Sequence, residues 1–113
     1  MHYQNERKLA KRATELGKSA RADALGELVE LTRSESPLVR RLAASALGKL
    51  SGIVPSDEAV RALHPLLQDT HPQVRQYTAK ALGAFGAAAR DALPEHLHET
   101  AYNKFKERNF ITW

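Results

Sequence analysis

The 113-residue sequence predicts an all-α fold, an α-solenoid of three stacked helical hairpins. Three observations predict it: an internal repeat, helical spacing of apolar residues within each repeated segment, and capping residues at the segment boundaries. We expect one domain over residues 1–113, with hairpins at about 5–33, 37–68 and 72–108. The six helices of these hairpins are predicted at about 5–17, 22–33, 37–50, 57–68, 72–85 and 90–108.

The internal repeat has an offset of 35 residues and needs no gap. Residues 36–50, SPLVRRLAASALGKL, align with residues 71–85, HPQVRQYTAKALGAF. The same offset places Leu28 on Leu63, so the repeated unit contains two segments. Units of a repeat protein stack and bury a continuous core between them, so each unit is expected to form one layer.

The first hairpin is less regular than the second, as expected for a terminal layer that meets water on one side. Its dipeptide Leu16-Gly17 stands where Leu47-Gly48 stands in the following hairpin. The connection to its second helix is shorter, so the two hairpins need not be identical in detail.

The third helix has the strongest local signals. Ser36 is predicted to cap its free amides, and Pro37 fits the first turn, where a missing N–H costs nothing. Gly52 is predicted to end it. Its apolar residues recur at steps of three and four and so share one face: Val39, Leu42, Ala43, Ala46, Leu47 and Leu50.

The remaining helices follow from the repeat and from their boundaries. Asp57 and Glu58 suit the first turn of the fourth helix, near the positive end of its dipole. Pro65 lies in that helix's interior and cannot donate to the Arg61 carbonyl, so a kink is expected. The fifth helix repeats the third. The sixth is predicted from Leu93, Leu97, Ala101 and Phe105, and the apolar end Phe110-Ile111-Thr112-Trp113 either caps the last hairpin or precedes a further repeat.

Composition limits the classes of function. The chain contains no cysteine, which excludes disulfides, thiolate catalysis and cysteine zinc sites. No apolar run approaches the ~20 residues of a membrane span, and the N-terminus lacks the pattern of a signal peptide, so a cytoplasmic protein is expected. The net charge of +4 allows an anionic partner.

The motif Pro-x-Val-Arg followed by Ala-x-Ala-Leu-Gly resembles the HEAT-repeat family, particularly the short bacterial repeats similar to those of phycobilisome lyase subunits. The resemblance spans residues 21–90 and implies a right-handed solenoid, with first helices on the convex side and second helices on the concave side. It also implies a structural pairing of an aspartate with the arginine six residues later, which Asp69 and Arg75 match. Ser34 replaces the aspartate before Arg40, which leaves Arg40 to face a ligand or a neighbouring acid.

Small residues recur on the inward face, where they let neighbouring helices approach closely: Ala43, Ala46, Gly48, Ala79, Ala81 and Gly83. Packing explains these positions. A phosphate-binding loop does not, because no strand precedes them and the glycines lie too far apart.

No group of residues predicts catalysis, a metal site or a cofactor, so a non-enzymatic protein is expected. His96 and His98 lie about 200° apart on a helix and cannot converge on one ion. Glu95 and Glu99 share a face, but two exposed carboxylates usually form a solvated stripe. His64 is predicted to pack at the edge of the core.

A protein-binding scaffold is the first functional hypothesis, because solenoids commonly hold partners on their concave surface. The partner, the oligomeric state and a continuation into a longer array are left open by the sequence. The predicted concave stripe carries mixed charge, and the candidate partner-binding residues are Glu27, Glu30, Arg33, Glu58, Arg61 and Gln68.

Nucleic-acid binding through the first helices is the alternative, since basic charge is concentrated there. It lacks an aromatic stacking platform, because Tyr77 and Phe85 are predicted to point toward the core. A subunit that handles a chromophore, as lyase-like repeats do, is a minor alternative. The nucleic-acid candidates are Lys11, Arg12, Arg41, Lys49 and Lys80.

Overall fold

The computed structural model describes residues 2–91, and within them the chain is helical with no strand. The all-α prediction is confirmed. The described part contains a short 3-10 turn before the second helix and another after the fourth. The α-helices are α1 (His2–Lys18), α2 (Leu25–Leu31), α3 (Pro37–Lys49), α4 (Ser56–Leu63) and α5 (Pro72–Asp91), and the 3-10 turns are Ala22–Ala24 and His64–Gln68.

Helix α3 begins and ends where its local sequence predicts. Ser36 Oγ accepts a hydrogen bond from the Val39 N–H at 3.2 Å, and Pro37 occupies the first turn. After the helix, Gly52 has a φ of 85°, a conformation that a residue with a Cβ rarely adopts. The chain therefore turns away from the helix axis at this glycine.

The fourth helix changes type at its proline. Its α-helical part ends at Leu63, and the 3-10 turn His64–Gln68 continues it. Pro65 cannot donate to the Arg61 carbonyl, so the α-helical hydrogen-bond pattern stops there. The expected kink takes the form of this tighter turn.

Helix α5 is longer than predicted. It was expected to end at about residue 85, and it continues to Asp91. Gly86 has no positive φ, and the three alanines that follow it favour helix over a turn. The sixth helix was predicted from about residue 90, and only its first two residues, which belong to α5, are described. The rest of it and the apolar end Phe110–Trp113 lie outside the described residues.

The first helices of the layers, α1, α3 and α5, pack side by side with α3 in the middle. Helix α2 packs mainly against α3, and α4 with its 3-10 turn packs against α5. Leu47 and Leu82 are both fully buried, which confirms that the matched stretches face the core. Within the described residues the fully buried large side chains are Phe85, Leu28, Leu47, Leu50, Leu63, Leu82, Val39, Val74 and Thr78.

Two glycines allow the first helices to approach closely. A Cβ added at Gly17 would lie 2.8 Å from the Ala46 Cβ, and one added at Gly48 would lie 2.9 Å from the Ala81 Cα. The contact between α1 and α3 is thus repeated between α3 and α5. Packing thus explains the glycines of the first two Leu-Gly dipeptides. The close approach expected at Gly83 is not found, because a Cβ added there would have nothing within 4 Å among the described residues.

None of the helices in residues 2–91 combines the length and the apolar character that a membrane span requires.

Candidate functional site

A buried ion pair joins the second layer to the third. Arg40 on α3 donates from Nε to Asp69 Oδ2 at 2.7 Å and from Nη2 to Asp69 Oδ1 at 3.2 Å. Its Nη1 donates to the Ser34 and Glu35 carbonyls at 2.8 and 3.0 Å. The two side chains are only 15% and 7% exposed. Arg40 therefore holds both the turn before its own helix and the turn before α5.

The Asp69 carboxylate is held in its charged form. Burial acts to raise its pKa, but the hydrogen bonds from Arg40 and from the His71 backbone N–H outweigh burial, so the pKa lies below its usual value. The His71 N–H reaches Asp69 Oδ1 at 3.0 Å. Asp69 is thus a structural carboxylate with its oxygens occupied, unlike an acid available for catalysis.

The expected pairing of Asp69 with Arg75 is found, and it uses the Asp69 backbone. Arg75 donates from Nη1 to the Asp69 backbone carbonyl at 2.6 Å, while the carboxylate binds Arg40. Of the two expectations for Arg40, a neighbouring acid is the one found. The reason is geometric: the carboxylate lies between two layers, and the arginine of the preceding layer reaches it with both ends of its fork.

The predicted partner-binding residues are exposed on or beside the second helices. Glu30 and Arg33 form a weak pair, with 3.8 Å between the nearest charged atoms and both side chains largely exposed. Glu58 and Arg61 on α4 and Gln68 after it are also exposed. Helices α2 and α4 contact each other, and we call the exposed polar side chains on and beside them the second-helix surface.

Glu27 differs from the other members of this set. It accepts a two-point hydrogen bond from Arg12 on α1, at 2.6 Å from Nε and 2.9 Å from Nη2. The Arg12 hydrogen bond and charge lower the pKa of Glu27. The assignment of Arg12 and Glu27 to opposite binding faces is therefore wrong, because the two side chains cross the groove of the first hairpin and meet.

The first-helix side between α3 and α5 holds three of the five nucleic-acid candidates. Lys49 and Lys80 are exposed and line a cavity of about 200 Å³ together with Tyr77. Arg41 donates to Gln73 Oε1 at 2.6 Å, and its guanidinium carbon lies 5.6 Å from the centroid of the Tyr77 ring. Of the other two candidates, Lys11 is exposed on α1 and Arg12 is bound to Glu27.

The expected core positions of Tyr77 and His64 are wrong. Phe85 is buried as predicted, but Tyr77 is only half-buried and lies under Arg41 on the outer side of α5. His64 is exposed, because it follows the buried Leu63 by one residue and so lies about 100° away from it around the helix axis. The repeat offers a signal for Tyr77, since it aligns with Leu42, which is also half-buried.

Two polar contacts between neighbouring layers were not predicted from the sequence. Ser36 Oγ, besides capping α3, donates to the Glu6 carboxylate on α1, and this joins the first layer to the second. Gln73 fixes Arg41 across the α3–α5 groove. No periodic pattern identifies either contact, because each depends on how neighbouring layers are aligned.

Within residues 2–91 no three His, Asp or Glu side chains are grouped so that they could hold a metal ion. Glu95, His96, His98 and Glu99 lie outside the described residues.

Comparison with protein families finds two matches. The HEAT repeat model matches residues 58–89, and the PBS lyase HEAT-like repeat model matches residues 39–69. A comparison with curated proteins gives no match, and neither does one with solved structures. The two matched segments together cover the α3-to-α5 layers described above.

Proposed function

Because residues 39–89 carry HEAT-type repeats, which generally mediate protein–protein interaction, we propose that this chain is a non-catalytic scaffold that binds a partner protein on its second-helix surface. The family resemblance assigns this surface to the concave side of the solenoid. Concave solenoid surfaces offer a partner a wide area of rigid, regularly spaced side chains.

One observation carries the proposal: α2 and α4 contact each other, and each buries its apolar side chains while its charged side chains are exposed. Leu25, Leu28 and Leu31 anchor α2 in the core, so its charged residues are held on a fixed frame. Both signs of charge are present, with Glu30 and Glu58 beside Arg33 and Arg61. Such a surface favours a partner with complementary charges of both signs over a uniformly charged polymer.

The charged residues of this surface contribute little to the stability of the fold. The Glu30–Arg33 pair is more than two-thirds exposed on both sides, and exposed pairs contribute little to stability. Asp69 and Arg40, in contrast, have every charged oxygen and most donors engaged inside the fold. The second-helix charges are therefore available to a partner at small cost.

The test is an affinity capture from a lysate of the source organism, with the full chain as bait. The double substitution Glu30→Lys with Arg61→Glu reverses the charge pattern of the surface and leaves the net charge unchanged. We expect proteins that are captured by the wild-type chain to be lost with this variant, while its thermal midpoint stays close to that of the wild type because both residues are exposed.

The matched control is Lys11→Glu with Glu15→Lys on α1. This swap also keeps the net charge, and both residues are exposed. Capture should survive it. If the same proteins bind the wild type and the Glu30→Lys, Arg61→Glu variant equally well, the second-helix surface is not where the partner binds.

A further inference from the structure

The outer side of helices α3 and α5 carries basic side chains without carboxylates. Residues 36–50 and 71–90 contain no aspartate or glutamate. Arg41, Lys49 and Lys80 form no ion pair with any described residue. Among residues 2–91 their positive charge is therefore not paired with an acid, in contrast to the mixed charge of the second-helix surface.

Side chains from both helices line two neighbouring cavities, and we call the strip of surface that contains both cavities the α3–α5 groove. On α3 its wall is formed by Leu38, Arg41, Ser45 and Lys49, at steps of three and four residues that keep them in one row. On α5 the opposite wall is formed by Gln73, Tyr77, Lys80 and Ala84, with the same spacing. Gly48 and Ala81, where the two helices approach closely, line the smaller cavity.

The wide end of the groove is an apolar cavity of about 420 Å³ between the N-terminal ends of the two helices. Pro37 and Leu38 line it from α3, and Pro72 and Val74 line it from α5. Its volume suits one or two large apolar side chains. Arg41, His71 and Gln73 also line it, but most of its accessible lining is apolar, so a polar ligand group would lose more hydrogen bonds to water than it gained there.

Arg41 stands between the apolar end and the lysines. Its Nη1 is bound to Gln73, but its Nε is buried and has no hydrogen-bond acceptor in the described part of the chain. A guanidinium whose donors are not all bound favours an anionic acceptor, and a carboxylate is an acceptor that binds guanidinium groups strongly. The groove thus presents an apolar pocket, a guanidinium and two ammonium groups in that order.

We propose that the α3–α5 groove binds an acidic amphipathic segment of a partner protein, with a bulky apolar side chain in the wide cavity and carboxylates against Arg41, Lys49 and Lys80. This site is separate from the second-helix surface. Single-stranded nucleic acid fits less well, because the guanidinium already covers one face of the Tyr77 ring and the wide cavity lacks partners for the polar edges of a base.

The proposal is tested with a fluorescein-labelled synthetic peptide of glutamate and leucine, with leucines at steps of three and four. About 14 residues suffice to span the groove, since a helix rises about 1.5 Å per residue. The comparison ligands are a peptide of scrambled order and a single-stranded oligonucleotide of the same net charge. Fluorescence anisotropy against the full chain should show tighter binding of the amphipathic peptide than of either comparison ligand.

Substitutions locate the site. Lys49→Gln with Lys80→Gln should weaken peptide binding by about tenfold, through the loss of two charge contacts. Leu38→Gln should weaken it as well, by making the cavity polar. The matched control, Lys8→Gln with Lys11→Gln on α1, removes the same charge outside the groove and should leave the affinity almost unchanged. Circular dichroism of each variant checks that the fold is retained.

Three results would overturn the proposal. The first is equal binding of the ordered and scrambled peptides, which would show attraction by net charge alone. The second is equal weakening by the groove and α1 double substitutions. The third is tighter binding of the oligonucleotide than of the peptide, which would favour nucleic acid as the ligand of this side. None of these results bears on the second-helix surface, because its test uses other residues.

Discussion

Replacing Asp69 by asparagine should destabilise the fold far more than the equivalent replacement of an exposed carboxylate that accepts the same two-point hydrogen bond. Asp69→Asn keeps the size of the side chain but removes its charge. It weakens both hydrogen bonds from Arg40, at 2.7 and 3.2 Å, and leaves a nearly buried guanidinium without its counterion. The perturbation therefore acts on the contact between two layers and on the turn before α5, where Asp69 Oδ1 also accepts the His71 N–H.

The magnitude follows from what Arg40 loses and what it keeps. Removing one partner of a buried ion pair typically costs about 3–5 kcal/mol. Arg40 keeps the Ser34 and Glu35 carbonyls as acceptors, and the asparagine oxygen can still accept one bond. We therefore expect a loss near the lower limit, about 3 kcal/mol in the free energy of unfolding, or roughly 10 °C in the thermal midpoint.

Glu27→Gln is the matched control. Glu27 also accepts a two-point bond from an arginine, Arg12, at 2.6 and 2.9 Å. The difference is exposure: the Arg12 and Glu27 side chains are 51% and 45% exposed, against 15% and 7% for Arg40 and Asp69. Water screens the exposed pair, so the control should barely shift the midpoint.

The assay is urea unfolding of both variants followed by far-ultraviolet circular dichroism, with the slope compared to confirm a single transition. Equal losses for Asp69→Asn and Glu27→Gln would refute the reasoning, since burial would then not decide what an ion pair contributes. A small loss for both would show that the layers are held together by apolar packing alone.

Two further predictions concern the same layers. The folded-state pKa of Asp69 is depressed, so the Asp69 carboxylate stabilises the fold fully above its unfolded-state pKa of about 3.9. This stabilisation is lost as pH falls through the folded-state pKa. When the free energy of unfolding is measured against pH, Asp69→Asn should therefore be less sensitive than the wild type below about pH 4. Gly48→Ala would place a Cβ 2.9 Å from the Ala81 Cα and should cost about 1–3 kcal/mol by forcing α3 and α5 apart. Gly26→Ala, at an exposed helical position with nothing within 4 Å, should instead be neutral or stabilising by up to about 1 kcal/mol, and calorimetry that finds equal losses for both would contradict the packing argument.

The helices were predictable because their causes are local. The spacing of apolar residues, the cap at Ser36 and the turn at Gly52 act within a few residues, and each is found as expected. The end of α5 was not predicted, since an alanine-rich stretch can continue a helix past the point where the repeat suggests a stop. Pro65 predicted where the fourth helix departs from α-helical geometry, but not that the departure is a 3-10 turn.

Contacts between layers were less predictable, because they depend on alignment in space. The family resemblance implied a pairing of Asp69 with Arg75, but it does not say which layer's arginine the carboxylate faces. Arg12 and Glu27 were placed on opposite faces for a similar reason, since long side chains reach across the groove between two helices. The sequence predicted which residues lie on each candidate surface. It did not show which of those residues are already bound to other side chains within the fold.

The two arginines at equivalent repeat positions suggest how the layers keep their register. Arg40 donates to the Ser34 carbonyl and Arg75 to the Asp69 carbonyl, and in both cases the acceptor lies six residues earlier. Each arginine thus fixes the turn before its own helix, and Arg40 also binds the carboxylate of the next turn. At the other end of α3, Gly48 meets Ala81. A shift of α5 by one helical turn would break the ion pair at one end and the close contact at the other, so these two points together select a single alignment of the layers and thereby the shape of the α3–α5 groove.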